Sequence, residues 1–129
     1  MAWTVSSDSQ QVGLKRGYTT FHATSTDATD LANEIVLDIS ALTGTPTQVD
    51  VTFVSLACQA CEAFLEFDRT TDKLILGCPD GQLHAIKAKE TLPRGIVDGG
   101  SGGSGDIVLT TTGGSNGCSV SGFIVWEVP

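Results

Sequence analysis

The segment GDIVLTTTGGSNGCSVSGFIVWEVP at 105–129 restricts the fold more than any other stretch of the chain. Apolar and polar positions alternate with a period of two over 106–112 and again over 119–128, in a background of Val, Ile, Thr and aromatics. That pattern predicts two β-strands. The intervening GGSNG at 113–117 suits a reversal needing positive φ, so the pair reads as one hairpin. Large apolar groups stand on both faces of the second strand. This predicts a central strand covered on two sides.

The rest of the chain repeats the theme. Alternation predicts strands over 18–24, 34–40, 48–57, 61–68, 73–78 and 84–89, with an optional first one near 2–5. Turn residues punctuate them: ALTGTP at 41–46, RTTD at 69–72, which makes 61–68 and 73–78 a hairpin, and PDG at 79–81. Lys87 and Lys89 on an outer face are suited to an edge strand. The glycine-serine run at 99–106 reads as a long, flexible surface loop, without the lysine and spacing of a phosphate-binding loop. With 129 residues and 15 glycines the chain is one domain of many short strands. The expected fold is all-β: an antiparallel, jelly-roll-like β-sandwich of about eight strands, with an immunoglobulin-like sandwich as the next reading. Residues 1–17 form an N-terminal arm or first strand, and 18–129 form the sandwich domain.

Charge restricts the partners. A net charge of −8 argues against nucleic acid and against anionic lipid. No stretch has the length and apolarity of a membrane-spanning helix. The first twenty residues hold no apolar run of signal-peptide length, so synthesis in a cytoplasm is expected.

Chemistry is sparse. Cys58 and Cys61 stand two residues apart, and Cys78 and Cys118 complete a set of four. Free or buried thiols are the first reading, one or two disulfides the second, and a four-cysteine zinc site the third. A redox pair would need Cys58 and Cys61 at a helix N-terminus, whereas they lie between two strands. His22 and His84 read as strand residues; each could find Cys or Asp in space, but no nucleophile motif is present. Asp27 and Asp30 lack the remainder of a calcium loop and read as capping groups. Glu62 and Glu66 would need a cleft to act as a glycosidase pair. No cofactor-binding pattern is found, and the expectation is a binding protein without enzymatic activity. A carbohydrate-binding module would want an exposed row of Trp or Tyr; the chain has two Trp and one Tyr.

Three segments carry a resemblance: LANEIVLDISALTGTPTQV at 31–49, AFLEFDRTTDKLI at 63–75 and GDIVLTTTGG at 105–114. Their order and spacing are similar to those of small virion proteins of tailed bacteriophages, among them head decoration or cement proteins. The similarity covers about a third of the chain. It implies an oligomeric β-sandwich, a trimer in the decoration case, bound to the major capsid protein at the virion surface. A tail, neck or fibre position is the alternative. The four cysteines depart from the pattern of the group. On this reading residues 1–17 reach a neighbour and Trp3 is the interface anchor, since aromatics dominate interface hot spots. Burial of Trp3 in its own domain is the other possibility.

Overall fold

The computed structural model describes residues 3–114 and 116–129, excluding the side chain of Thr91. Met1, Ala2 and Ser115, and with them the tip of the expected arm and the middle of the 113–117 reversal, lie outside the described residues. Nine strands are present among them: β1 Trp3–Val12, β2 Arg16–Ser25, β3 Glu34–Leu37, β4 Asp50–Gln59, β5 Glu62–Phe67, β6 Lys73–Cys78, β7 Leu83–Ile86, β8 Ile107–Thr112 and β9 Ser119–Glu127. A 3-10 turn at Ile39–Ala41 and the short helix α1 at Ala88–Thr91 interrupt them. Asp38 caps the first, accepting from the Ser40 backbone N–H at 3.0 Å.

Pairing is nested. β2 pairs with β9, β3 with β8, β4 with β7 and β5 with β6, all antiparallel. The chain is therefore one long two-stranded ribbon whose successive pairs fall alternately into two sheets. The resulting strand orders are β1-β2-β9-β4-β7 and β3-β8-β5-β6. This is a jelly roll with β1 added at one edge.

Side chains from the two inner faces form the core. β9 contributes Val120, Ile124 and Trp126, β4 contributes Val54 and Leu56, and Leu65, Phe67, Ile107 and Leu109 oppose them; all nine are fully buried. Trp126 also donates its indole N–H to Thr19 Oγ1 at 3.1 Å, which satisfies its polar atom. Room for the ring comes from Gly17, where a Cβ would stand 2.5 Å from Trp126 Cζ2.

Three sequence expectations need correction, the first of them the strand over 84–89: β7 ends at Ile86, Lys87 stands at the N-cap of α1 and Lys89 lies within it. Residues 106–112 and 119–128 do not form a hairpin: β8 lies between β3 and β5, while β9 lies between β2 and β4 in the other sheet. Alternation identifies strands but not their partners, and a glycine-rich reversal serves a crossing between sheets as well as a hairpin. β9 is central, as expected, but its second face is only partly covered: Phe123 and Val125 are half-buried and Ser121 is exposed. Of the two readings for residues 1–17, the described part is the strand. β1 matches β2 over ten consecutive pairs from Trp3↔Ser25 to Val12↔Arg16.

The 99–106 run is also more than a free loop. Thr70 N–H donates to Ser101 O at 3.1 Å, Gly105 N–H to Asp68 O at 2.9 Å, and Ser104 Oγ to Asp68 Oδ2 at 2.6 Å. A Cβ at Gly103 would lie 2.4 Å from Asp68 O, so glycine there permits a close backbone approach.

Candidate interaction surfaces

β1 is fastened along its inner side. Trp3 is half-buried at the rim of the core and donates its indole N–H to Thr29 O at 2.9 Å. The Gln11 amide donates to Thr43 O at 3.0 Å and accepts from Thr43 N–H at 2.9 Å. Ser9 and Thr19 hydroxyls meet at 2.8 Å. The opposite edge of β1 is the free end of the five-stranded sheet. Trp3 thus serves its own fold and remains only half-buried beside that edge.

The outer face of the same sheet carries an aromatic row. Tyr18 on β2 is 39% exposed, and Phe123 on β9 and Phe53 on β4 are half-buried. Ring centroids lie 5.8 Å apart for Tyr18 and Phe123 and 6.0 Å for Phe53 and Phe123. The interplanar angles of 43° and 58° tilt the rings out of a common plane. A flat platform for sugar stacking is therefore not formed.

The cysteines sort into one bond and one pair of thiols. Cys61, just before β5, is bonded to Cys118, just before β9, with Cα atoms 5.7 Å apart. The bond joins the two sheets at one end of the sandwich. Cys58 and Cys78 are free and buried. Their thiols donate to carbonyls: Cys58 to Pro79 O at 3.1 Å and Cys78 to Gln82 O at 3.1 Å. The four-cysteine zinc reading is overturned, because two of its ligands are consumed by the disulfide. Among the described residues no group of three or more His, Cys, Asp or Glu is arranged to hold a metal ion. Nor are Cys58 and Cys61 a redox pair. Their two-residue spacing spans a crossing between sheets, turned at Ala60 with φ of 66°.

Burial, and then the hydrogen bond of the protonated Cys58 thiol with Cys78, push the Cys58 thiol up to about 11. Near pH 7.5 the folded protein is expected to take up no iodoacetamide while the urea-unfolded protein gains two labels by intact mass. Labelling should accelerate roughly tenfold per pH unit toward pH 10, as the thiolate fraction grows. Prompt double labelling of the folded chain would contradict the burial.

The remaining candidates do not converge on a catalytic arrangement. His22 is exposed on the outer face opposite Ser6, beside a shallow depression of about 220 Å³ that Asp8 and Thr20 also line. Ser6 Oγ approaches the backbone carbonyl of His22 at 3.5 Å rather than its ring. His84 Nε2 meets Gln82 Oε1 at 2.9 Å. Glu62 and Glu66 lie four residues apart on β5, roughly 13 Å along a strand, which is wider than the separation glycosidase carboxylates use. Burial, then the Asp72 charge, hold the Glu66 carboxyl above its usual range. Asp27 Oδ1 accepts from Thr29, and Asp30 Oδ1 from Thr111 and Gly114, so both fasten loops.

Sequence reasoning missed the largest polar constellation. Arg69 Nε donates to Asp98 Oδ1 at 2.9 Å and Nη2 to Oδ2 at 2.5 Å. The same guanidinium donates to Gly102 O at 3.1 Å and Thr47 O at 3.2 Å. A second site pairs the like charges Asp50 and Glu127 across β4 and β9. Each is neutralised separately, Asp50 by Arg94 at 3.0 Å and Glu127 by Lys89 at 2.9 Å. No local motif signals either, since the partners are far apart in sequence.

No family model matches the chain, and no curated protein matches it. Solved structures give distant likenesses. A cysteine peptidase from Thevetia peruviana latex, Peruvianin-I, aligns over 95% of this chain with 11% identity and a TM-score of 0.40. The chain spans 61% of that peptidase's length. A cupin superfamily protein from Desulfitobacterium hafniense aligns over 95% of this chain and 77% of its own, with 11% identity and a TM-score of 0.33. A family 11 carbohydrate-binding module from Clostridium thermocellum aligns over 99% and 88%, with 10% identity and a TM-score of 0.26. Strand order and pairing identify the architecture without them. The chain is an antiparallel jelly-roll β-sandwich with one additional edge strand.

Proposed function

We propose that this protein is a structural component of a tailed-bacteriophage virion, a head decoration protein that binds between major capsid subunits. The observation that carries the reading is where the three resembling segments fall. Residues 31–49 hold β3 and the 3-10 turn, 63–75 hold most of β5 and the start of β6, and 105–114 hold β8. In the four-stranded sheet β3, β8 and β5 are consecutive neighbours. A resemblance scattered in sequence is thus one continuous piece of surface and core. Jelly rolls recur in viral capsid proteins and also in lectins and cupins, so the fold alone does not choose.

On this reading the protein adds interfaces where capsid subunits meet. A standard interface of roughly 1,600 Å² supplies the stabilisation. The test is copy number, by quantitative mass spectrometry of purified particles from the source. A simple ratio to the most abundant capsid protein, such as one to one or one to three, supports decoration. A handful of copies per particle supports the tail, neck or fibre alternative instead. Absence from particles sinks the virion reading.

A further inference from the structure

We propose that the free edge of β1 is a self-association site, at which a second copy of this chain pairs antiparallel to extend the five-stranded sheet across a two-fold axis. The proposal goes beyond the virion reading, does not depend on it, and puts a two-fold dimer in place of the trimer that the resemblance implies. A sheet edge presents unpaired backbone N–H and C=O groups, and folded proteins ordinarily blunt such edges with short length, bulges, lysine or proline. Three of the four edges here are blunted. β7 is four residues long and is followed almost at once by the short helix α1. β3 is also four residues long, and Val36 is an extra residue in its register with β8. β6 begins at Lys73, and Ile75 is an extra residue in its register with β5. β1 has none of these devices. It runs ten residues in unbroken register and contains neither lysine nor proline.

A second copy fits this edge better than a foreign strand would, for two reasons. The first is closure. Pairing β1 with β1 satisfies both long edges at once, and the blunted edges leave nowhere for growth to continue, so association stops at two. The second is complementarity. Asp8 is the single charged residue in TVSSDSQQV and the outer face around it carries Thr4, Ser6 and Gln10, all exposed. With the axis perpendicular to the sheet, outer residues must oppose outer residues. An axis through Asp8 would set two carboxylates face to face. An axis through Ser7 instead sets Asp8 opposite Ser6 twice and Thr4 opposite Gln10 twice. It also brings Trp3, half-exposed in the single chain, opposite Gln11 of the second copy.

The test is sedimentation equilibrium of the full chain from roughly 1 µM to 1 mM, a range spanning weak to moderate affinity. A monomer–dimer equilibrium, with the dimer at twice 13.4 kDa, is expected. Ser6→Asp places two new like-charge pairs against Asp8 of the second copy and should raise the dissociation constant roughly two- to thirty-fold. Ser6→Lys places opposite charges there and should lower it by a similar factor. Circular dichroism and thermal melts confirm that both variants keep the fold, since Ser6 is exposed. A chain that stays monomeric throughout, a trimer, or a dimer indifferent to both substitutions would each overturn the proposal.

Discussion

Replacing Arg69 with methionine is expected to lower the free energy of unfolding by about 3–5 kcal/mol, the usual cost of breaking one side of a buried ion pair. Asp98 has no exposed side-chain surface, and the Arg69 side chain is only 10% exposed. The Asp98 hydrogen bond, opposed by burial, holds the guanidinium more firmly protonated than an ordinary arginine. Without it, Asp98 keeps the Gly100 N–H at 3.3 Å and loses its countercharge. Three segments also lose a common anchor, because Arg69 bonds to Thr47, Asp98 and Gly102. The penalty should come mostly from the stranded carboxylate rather than from the pair's net worth. Removing both charges in Arg69→Met/Asp98→Ala is therefore expected to cost less than Arg69→Met alone. Urea denaturation of the wild type, Arg69→Met, Asp98→Ala and the double variant decides it. A single variant within about 1 kcal/mol of wild type, or a double variant that simply sums two losses, would remove Arg69 from the centre of this fold. Lys89→Ala provides the contrast. Its bridge to Glu127 is 50% and 37% exposed on the two sides, and it should cost under about 1 kcal/mol.

The sequence made the strands legible wherever one face is buried and the other wet. β2 is the clearest case: Phe21 and Ala23 point inward between exposed Thr20 and His22, so hydropathy alone traces its pleat. The β5–β6 hairpin was legible for a second reason, because a short turn leaves two strands few other partners. Pairings across longer separations were not legible. β8 and β9 adjoin in sequence and alternate alike, yet each inserts between strands drawn from earlier parts of the chain. Nothing local encodes that choice; it follows from nesting the whole ribbon. For the cysteines, buried thiols and a disulfide were both expected and both occur, but the pairing was not legible. The two-residue spacing of Cys58 and Cys61 carries no information on the bonded partner of Cys61, which lies 57 residues on. The 99–106 run shows the limit of composition. Glycine was read as freedom, whereas at Gly103 it allows contact with the Asp68 backbone. Aromatic content likewise located no surface. Tyr18, Phe53 and Phe123 become neighbours only because β2, β9 and β4 are adjacent.

Opening the Cys61–Cys118 bond is expected to cost about 2–4 kcal/mol and to lower the melting temperature by roughly 8–16 °C. The crosslink closes a loop with a sequence separation of 57 residues, for which the chain-entropy relation gives about 4 kcal/mol at 25 °C. Its position adds to the effect. Both sulfurs are buried, and they join the approach to β5 in one sheet to the approach to β9 in the other. Much of the loss should arise in the unfolded chain, which expands when the crosslink is gone. The urea dependence of unfolding should therefore steepen as stability falls. The comparison is oxidised wild type, reduced wild type and Cys61→Ala/Cys118→Ala, with alanine chosen to avoid burying a hydroxyl. The reduced protein and the double variant should agree with each other. Equal stability in all three would mean that the bond constrains nothing. The result also bears on where the protein matures. A chain made in a reducing cytoplasm, as the virion reading has it, must fold and assemble without this bond. If the reduced protein retains a cooperative melt above growth temperature, the jelly roll is sufficient by itself, and the crosslink is a late reinforcement that forms on exposure to an oxidising medium.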